Sequence, residues 1–193
     1  MKKNYHLTLT DILVTTVIAL VFGVIYKLWG PLYYALKPLG LHLEQIIYGM
    51  WFIASTVAYL LLRKPGVALL AEVAAASAEF LIGSEWGLAA LLAGLIQGAG
   101  AELVFAAFGY RKYSVGVAMV AAAAATAGSL VMDSLQGYIG DLAFWNLALL
   151  IGLRLIGAIF IAGYMAHRLV GALEKTGVTS LVRPLYDQST EMK

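Results

Sequence analysis

The stretch SVGVAMVAAAAATAGSLVMDSLQGYI, Ser114 to Ile139, carries a single charged side chain, Asp133, and no two-residue alternation of apolar and polar positions. A helix rises about 1.5 Å per residue, so roughly 20 residues cross a hydrocarbon core about 30 Å thick. The stretch is long enough. Backbone groups in lipid must pair within their own segment, and without alternation a β-barrel strand is excluded, which leaves a membrane-spanning helix. Five more runs of the same kind flank it: Thr10 to Trp29, Leu43 to Leu62, Pro65 to Gly83, Trp86 to Gly109 and Phe144 to Val170. The expected fold is therefore an all-α integral membrane protein with six transmembrane helices in one bundle. That bundle is a single domain covering residues 1–193, with helices at about 10–29, 43–62, 65–83, 86–109, 114–139 and 144–170.

With 62% hydrophobic and 12% charged residues in 193, little chain is left for a soluble domain once six spans are subtracted. The net charge of +2 is small and its lysines and arginines sit at span ends, not along a stripe, so no nucleic-acid partner is expected. Cysteine is absent, which removes disulfide, thiolate-metal and cysteine-nucleophile chemistry. His6, His42 and His167 lie near span ends without metal-ligand spacing, and no cofactor is expected. The chain has no phosphate-binding P-loop, so it does not hydrolyse ATP itself. The first run is followed by five others and has no small-residue cleavage site, so it reads as a retained helix and not a signal peptide.

The joints divide unequally in charge. Lys2, Lys3, Arg63, Lys64, Arg111, Lys112, Arg168, Lys175, Arg183 and Lys193 fall on one side, against Lys27 and Lys37 on the other. The positive-inside rule then puts both termini in the cytoplasm. The longest outer joint, about residues 30–42, mixes Gly and Pro with Tyr33 and Tyr34 and reads as a packed outer lid.

Charged groups in a bilayer cost roughly 2.5 to 3.5 kcal/mol each near its centre, so each one needs a partner, a cavity or a task. Glu72, Glu79, Glu102, Asp133 and Arg154 are such groups. Thr126, Ser129, Asp133 and Gln136 follow helical steps of three, four and three, and Glu44, Tyr48, Trp51 and Ser55 follow steps of four, three and four. Both stripes start at the outer end and wall a cavity. Glu79 is the expected main acceptor, Gln97 and Asn146 the orienting amides, and Tyr34, Tyr48, Trp51 and Trp145 the aromatic surfaces; Asp133 would add negative field. Arg154 is expected to neutralise Glu72 or another buried acid as an internal ion pair. Ala19 and Gly23 form a small-residue groove that either packs helices within the chain or docks a partner. Carboxylates, amides and ring faces together suit a planar, nitrogen-rich or cationic ligand.

Three motif runs lead further: Arg63-Lys64-Pro65-Gly66 with Ala71-Glu72; Gly83-Ser84-Glu85-Trp86-Gly87; and Gln97-Gly98-Ala99-Gly100-Ala101-Glu102-Leu103-Val104-Phe105 closing at Tyr110-Arg111. Together with Arg154 to Gly163 and Thr176-Gly177-Val178, they resemble the Yko-type substrate-binding S components of energy-coupling factor (ECF) transporters, a type of ABC importer. The resemblance covers most of the chain. It implies a six-helix subunit in the bacterial cell membrane that captures thiamine or its hydroxymethylpyrimidine moiety from outside. It also implies a transmembrane coupling (T) subunit and two cytoplasmic ATPase subunits as partners. Many S components dock through an Ala-x-x-x-Ala pattern in the first helix, where this chain has Ala19 and Gly23. Two readings compete with a binding subunit: a proton-coupled carrier using Glu72, Glu102 and Asp133, and an intramembrane enzyme using paired acids, for which no nucleophile or metal set is evident.

Overall fold

A computed structural model describes residues 6–177 and Thr179. Four of the cations counted above, Lys2, Lys3, Arg183 and Lys193, and Val178 of the tail motif lie outside the described residues. The first helix, α1 (Leu9–Leu36), begins with a capping box in which the Thr8 hydroxyl accepts from the Asp11 N–H and the Asp11 carboxylate accepts from the Thr8 N–H at 2.6 Å. Leu13, Val17, Leu20, Val24 and Leu28 stand exposed along one side at helical spacing, the lipid-facing stripe. Asp11, Thr15, Ala19, Phe22, Tyr26 and Tyr33 are buried on the other.

α1 overruns its expected end by two turns. Residues 30–36, assigned to the outer lid, are helical, and only residues 37–42 remain to turn the chain. Pro31 lacks an N–H and so leaves the Lys27 carbonyl unpaired in the ladder, a loss membrane helices tolerate where neighbours pack closely. Here Tyr33 enters the core and meets Trp51 edge-on at 5.3 Å, which holds the extra turns in place.

The second span has two windings. Leu43–Phe52 is a ten-residue 3-10 helix that continues into α2 (Ile53–Leu62). Every residue of α2 is buried, because it forms the axis of the bundle, touching α1, α3 (Val67–Gly83), α4 (Leu88–Ala107), α5 (Val115–Leu135) and α7 (Ala166–Lys175). The change of winding leaves the first N–H groups of α2 without a side-chain cap from Phe52. Two buried groups from other helices take them: the Tyr26 hydroxyl accepts from Ala54 at 3.1 Å, and Glu72 accepts from Ser55 at 3.0 Å. Tyr26 in turn donates to Glu72 at 3.0 Å, so the carboxylate is held at both oxygens.

Around this axis α1, α3, α4 and α5 pack side by side in that order. The last span, α6 (Phe144–Ala158) continued by a π-wound segment (Ile159–Met165) and α7, closes the ring against α5 and the 3-10 segment. The closure depends on Gly157, where any Cβ would collide with the Ile46 carbonyl. Among the described residues, five helical stretches are long and apolar enough to cross a membrane. α3, with 17 residues, is shorter and lies between α1 and α4.

At one end of the bundle Lys64 reaches the Asp11 carboxylate at 2.5 Å and the His6 carbonyl at 3.2 Å, and Arg63 reaches Glu174 at 3.4 Å. The start of α1, the α2–α3 joint and the end of α7 therefore meet there. The Tyr59 hydroxyl donates to the Lys112 carbonyl at 3.3 Å, which brings the cationic α4–α5 joint to the same end. This clustering of cations marks the cytoplasmic end by the positive-inside rule. Glu102, on α4 near that end, accepts N–H bonds from Gly66, Ala68 and Leu69 at 2.6, 3.0 and 3.1 Å and so caps α3.

Candidate functional site

The opposite end of the bundle is hollow. A compartment of about 40 Å³ lies between α1, the 3-10 segment, α3, α4 and α5. One wall is α4, whose lining residues Ala89, Ala90, Ala93 and Gly94 carry nothing beyond Cβ, with Gly94 also letting α4 close on Ala76 of α3. The rings of Tyr48 and Trp51, 5.5 Å apart and tilted to each other, line the same compartment. Between them lie polar groups with few partners. Glu79, 4% exposed, accepts one hydrogen bond, from Ser84 Oγ at 3.3 Å. The buried Trp51 indole N–H lies near that carboxylate without closing a hydrogen bond. Gln97, 2% exposed, lines the same space within reach of the Tyr48 hydroxyl.

A second, wider compartment of about 470 Å³ adjoins the first toward the outer joint. Tyr48, Trp86, Asp133 and Tyr138 line both, so the two are continuous across these side chains. Tyr34 stacks on Trp86 with ring centres 6.0 Å apart, and Lys37 lies over the Tyr34 ring at 4.7 Å, forming the rim. At the inner wall Arg154 pairs with Asp133 at 2.7 Å, donates to Gln45 at 2.8 Å and Ser129 at 3.0 Å, and lies over the Tyr48 ring at 3.9 Å. Small α4 side chains, aromatic rings and a few convergent polar groups around one continuous cavity give it the make-up of a small-molecule site.

Comparison with known proteins gives the site a context. The family model described as "ABC-type cobalt transport system, permease component" matches residues 10–128. The putative HMP/thiamine permease protein YkoE of Bacillus subtilis (strain 168) is 35% identical over 170 residues, covering 87% of this chain and 85% of that protein. A solved structure described as the crystal structure of an S-component of an ECF transporter superposes with a TM-score of 0.90 at 31% identity, covering 97% of this chain and 95% of that one. The chain belongs to the Yko-type S components of ECF transporters. It is a transporter subunit and not an enzyme, which removes the intramembrane-enzyme alternative.

Of the residues singled out in the sequence, this S component brings Glu79, Gln97, Trp51, Tyr48 and Asp133 to the first compartment and Tyr34 to the rim of the second. Asn146 and Trp145 are not with them. Both are exposed at the start of α6, Trp145 by 80%, because the helix begins outside the ring and its first turn faces away from the cavity. The expected ion pair between Glu72 and Arg154 does not form either. Glu72 is held by Tyr26 and Ser55, whereas Arg154 lies one layer outward with Asp133. That pairing also revises the role of Asp133: an arginine at 2.7 Å offsets its charge, and Glu79 remains as the carboxylate without a cationic partner in the first compartment. Ala19 and Gly23 face inward. Ala19 is 1% exposed, and a Cβ on Gly23 would lie 2.5 Å from Ala78 Cβ, so these two positions bring α1 against α3 and present no docking surface in this conformation.

Tyr26, Gln45 and the alanine wall of α4 were not singled out. Gln45 had a legible signal, an amide inside an apolar run three residues before Tyr48. The wall had none, since alanines at helical spacing look alike whether they face a ligand or a neighbouring helix.

Proposed function

We propose that this S component captures an aminopyrimidine, either hydroxymethylpyrimidine itself or thiamine, from the outer side of a bacterial cell membrane. Import would follow through a T subunit and two ATPase subunits. The observation that carries the proposal is Glu79, a nearly buried carboxylate with one 3.3 Å hydrogen bond, in a compartment lined by small α4 side chains and two aromatic rings. An exocyclic amine donates to such a carboxylate, the Trp51 N–H and the Gln97 amide satisfy ring nitrogens, and the ring lies between Tyr48 and α4. A thiazolium would follow beside Trp86 and Tyr138, in reach of the charge on Glu79. The name of the Bacillus subtilis relative agrees with this chemistry. The family description names cobalt; among the described residues no three His, Asp or Glu side chains gather in a way that would ligate a metal ion, so the donor set favours an organic ligand.

The test is purification of the S component from cells grown with thiamine, mass spectrometry of what it retains, and calorimetry of the emptied protein with thiamine and with hydroxymethylpyrimidine. Tight binding of at least one, weakened in Glu79→Gln, supports the proposal. Binding of neither, or of Co2+ in their place, overturns it. ATP-dependent uptake into vesicles only when T and ATPase subunits are added tests the partner assignment.

A further inference from the structure

Arg154 is 2% exposed and incompletely used by the protein. Its Nε donates to Gln45 and its Nη1 serves Ser129 and Asp133, while Nη2 makes no hydrogen bond to the protein. The guanidinium lines the second compartment and is fixed by those bonds and by the Tyr48 ring beneath it. A guanidinium fixed on its other sides, with Nη2 open to the compartment and unbonded among the described residues, has the chemistry of a ligand contact.

The charges around it say what kind of contact. Lys37 and Arg154 are balanced by Glu44 and Asp133, and His42 lies at 3.8 Å from Glu44. A compartment with no net charge offers little to a phosphate dianion. Its lining holds a donor, Nη2, and an acceptor, the Glu44 carboxylate, which also accepts from Gln45 at 3.0 Å. A hydroxyl group uses both, accepting through oxygen and donating through hydrogen.

Resting on the function proposed above, we propose that the second compartment is a subsite for a neutral, hydroxyl-bearing tail of a two-ring ligand, with Arg154 as the residue that reads the tail. The aminopyrimidine fills the first compartment, the second ring passes Trp86 and Tyr138 where the compartments join, and the hydroxyl ends at Arg154. The subsite therefore selects thiamine over analogues that lack its alcohol or carry a phosphate there.

The experiment measures dissociation constants for four probes: hydroxymethylpyrimidine, thiamine, thiamine with its hydroxyethyl group replaced by ethyl, and thiamine monophosphate. On the wild-type protein thiamine should bind about tenfold more tightly than the ethyl analogue, the usual worth of a hydrogen bond to a charged group, and more tightly than the phosphate ester. The Arg154→Gln/Asp133→Asn double variant exchanges the ion pair for two amides without changing net charge. Because Asp133 also lines the first compartment, the readout is the ratio of affinities within the variant, and its preference for thiamine over the ethyl analogue should be lost. Equal wild-type binding of thiamine and the ethyl analogue overturns the subsite while leaving the proposed function standing, and this comparison needs no variant. Tighter binding of the phosphate ester overturns the neutral-tail assignment, and a preference that survives in the double variant removes Arg154 as the reader. Failure of thiamine and hydroxymethylpyrimidine alike to bind the wild type overturns the function and this inference together.

Discussion

Glu102 and Glu79 are carboxylates of similar sequence character at opposite ends of one bundle, and they have opposite surroundings. Toward the cytoplasm, Glu102 accepts from three backbone N–H groups that begin α3, and its neighbours are equally committed: Asp11 caps α1 and pairs with Lys64. In the outer half, Glu79 has one 3.3 Å bond, the Trp51 N–H has none, and Arg154 leaves Nη2 unused. An acid within a membrane helix is therefore not in itself a mark of a binding site. Lipid penalises an unmet polar group as it penalises a charge, so unmet groups gathered around one cavity locate the ligand, whereas an isolated one such as the buried Thr56 hydroxyl does not.

The sharpest way to break this contrast is Glu102→Ala. Three N–H groups at a helix start lose their acceptor, each at about 1 to 3 kcal/mol when buried, so the thermal midpoint in detergent should fall steeply. The fraction that remains folded should bind ligand with unchanged affinity. A variant with native stability and weakened binding would reverse the roles of the two halves. Glu79→Gln should do the converse: affinity drops by roughly 10- to 100-fold, as expected for a charged hydrogen-bond partner worth about 1.5 to 3 kcal/mol, with little change in thermal midpoint. Calorimetry and a melting curve on the same preparation separate the two quantities.

Trp51→Phe keeps a ring against Tyr48 and deletes the indole N–H. The loss should be smaller, about 2- to 10-fold in affinity, in line with one neutral hydrogen bond of about 0.5 to 1.5 kcal/mol. A Trp51→Phe variant that binds as tightly as wild type would show that the N–H meets nothing in the complex. At the bottom of the scale, Trp145→Ala and Asn146→Ala should leave the dissociation constant within about twofold, since both positions are exposed beyond the cavity wall. A larger loss from either would place the start of α6 over the site when ligand is bound.

The helices were legible because a membrane-spanning run states its own length and needs no partner to define it. The outer position of the cavity was legible in part: Asp133 and Gln136 of one stripe and Glu44, Tyr48 and Trp51 of the other line it, whereas Thr126, Ser129 and Ser55 line neither compartment, since the 3-10 winding breaks the 3.6-residue phase of the second stripe. Pairing was not. Glu72 and Arg154 were matched as opposite charges near the same depth, yet Glu72 stands beside the break between the 3-10 and α windings at Phe52, where backbone N–H groups outcompete a distant guanidinium. That break has no signature in apolar periodicity. Trp145 and Asn146 failed for a related reason: depth along an axis can be estimated from a sequence, but the side of the bundle on which a helix enters is fixed by packing, here by the contact of Gly157 with Ile46.

The 3-10 winding of Leu43–Phe52 also sets where recognition is aimed. Three residues per turn put Gln45, Tyr48 and Trp51 at one azimuth, a straight file parallel to the segment axis, whereas at 3.6 residues per turn each would lag the last by about 60°. The file connects Arg154 at one end to the Glu79 compartment at the other. Rewound as an α-helix, the same ten residues would shorten by about 5 Å and turn Trp51 about 120° out of phase with Gln45. The pitch of one short segment thus keeps the two ends of the cavity in a single line of sight.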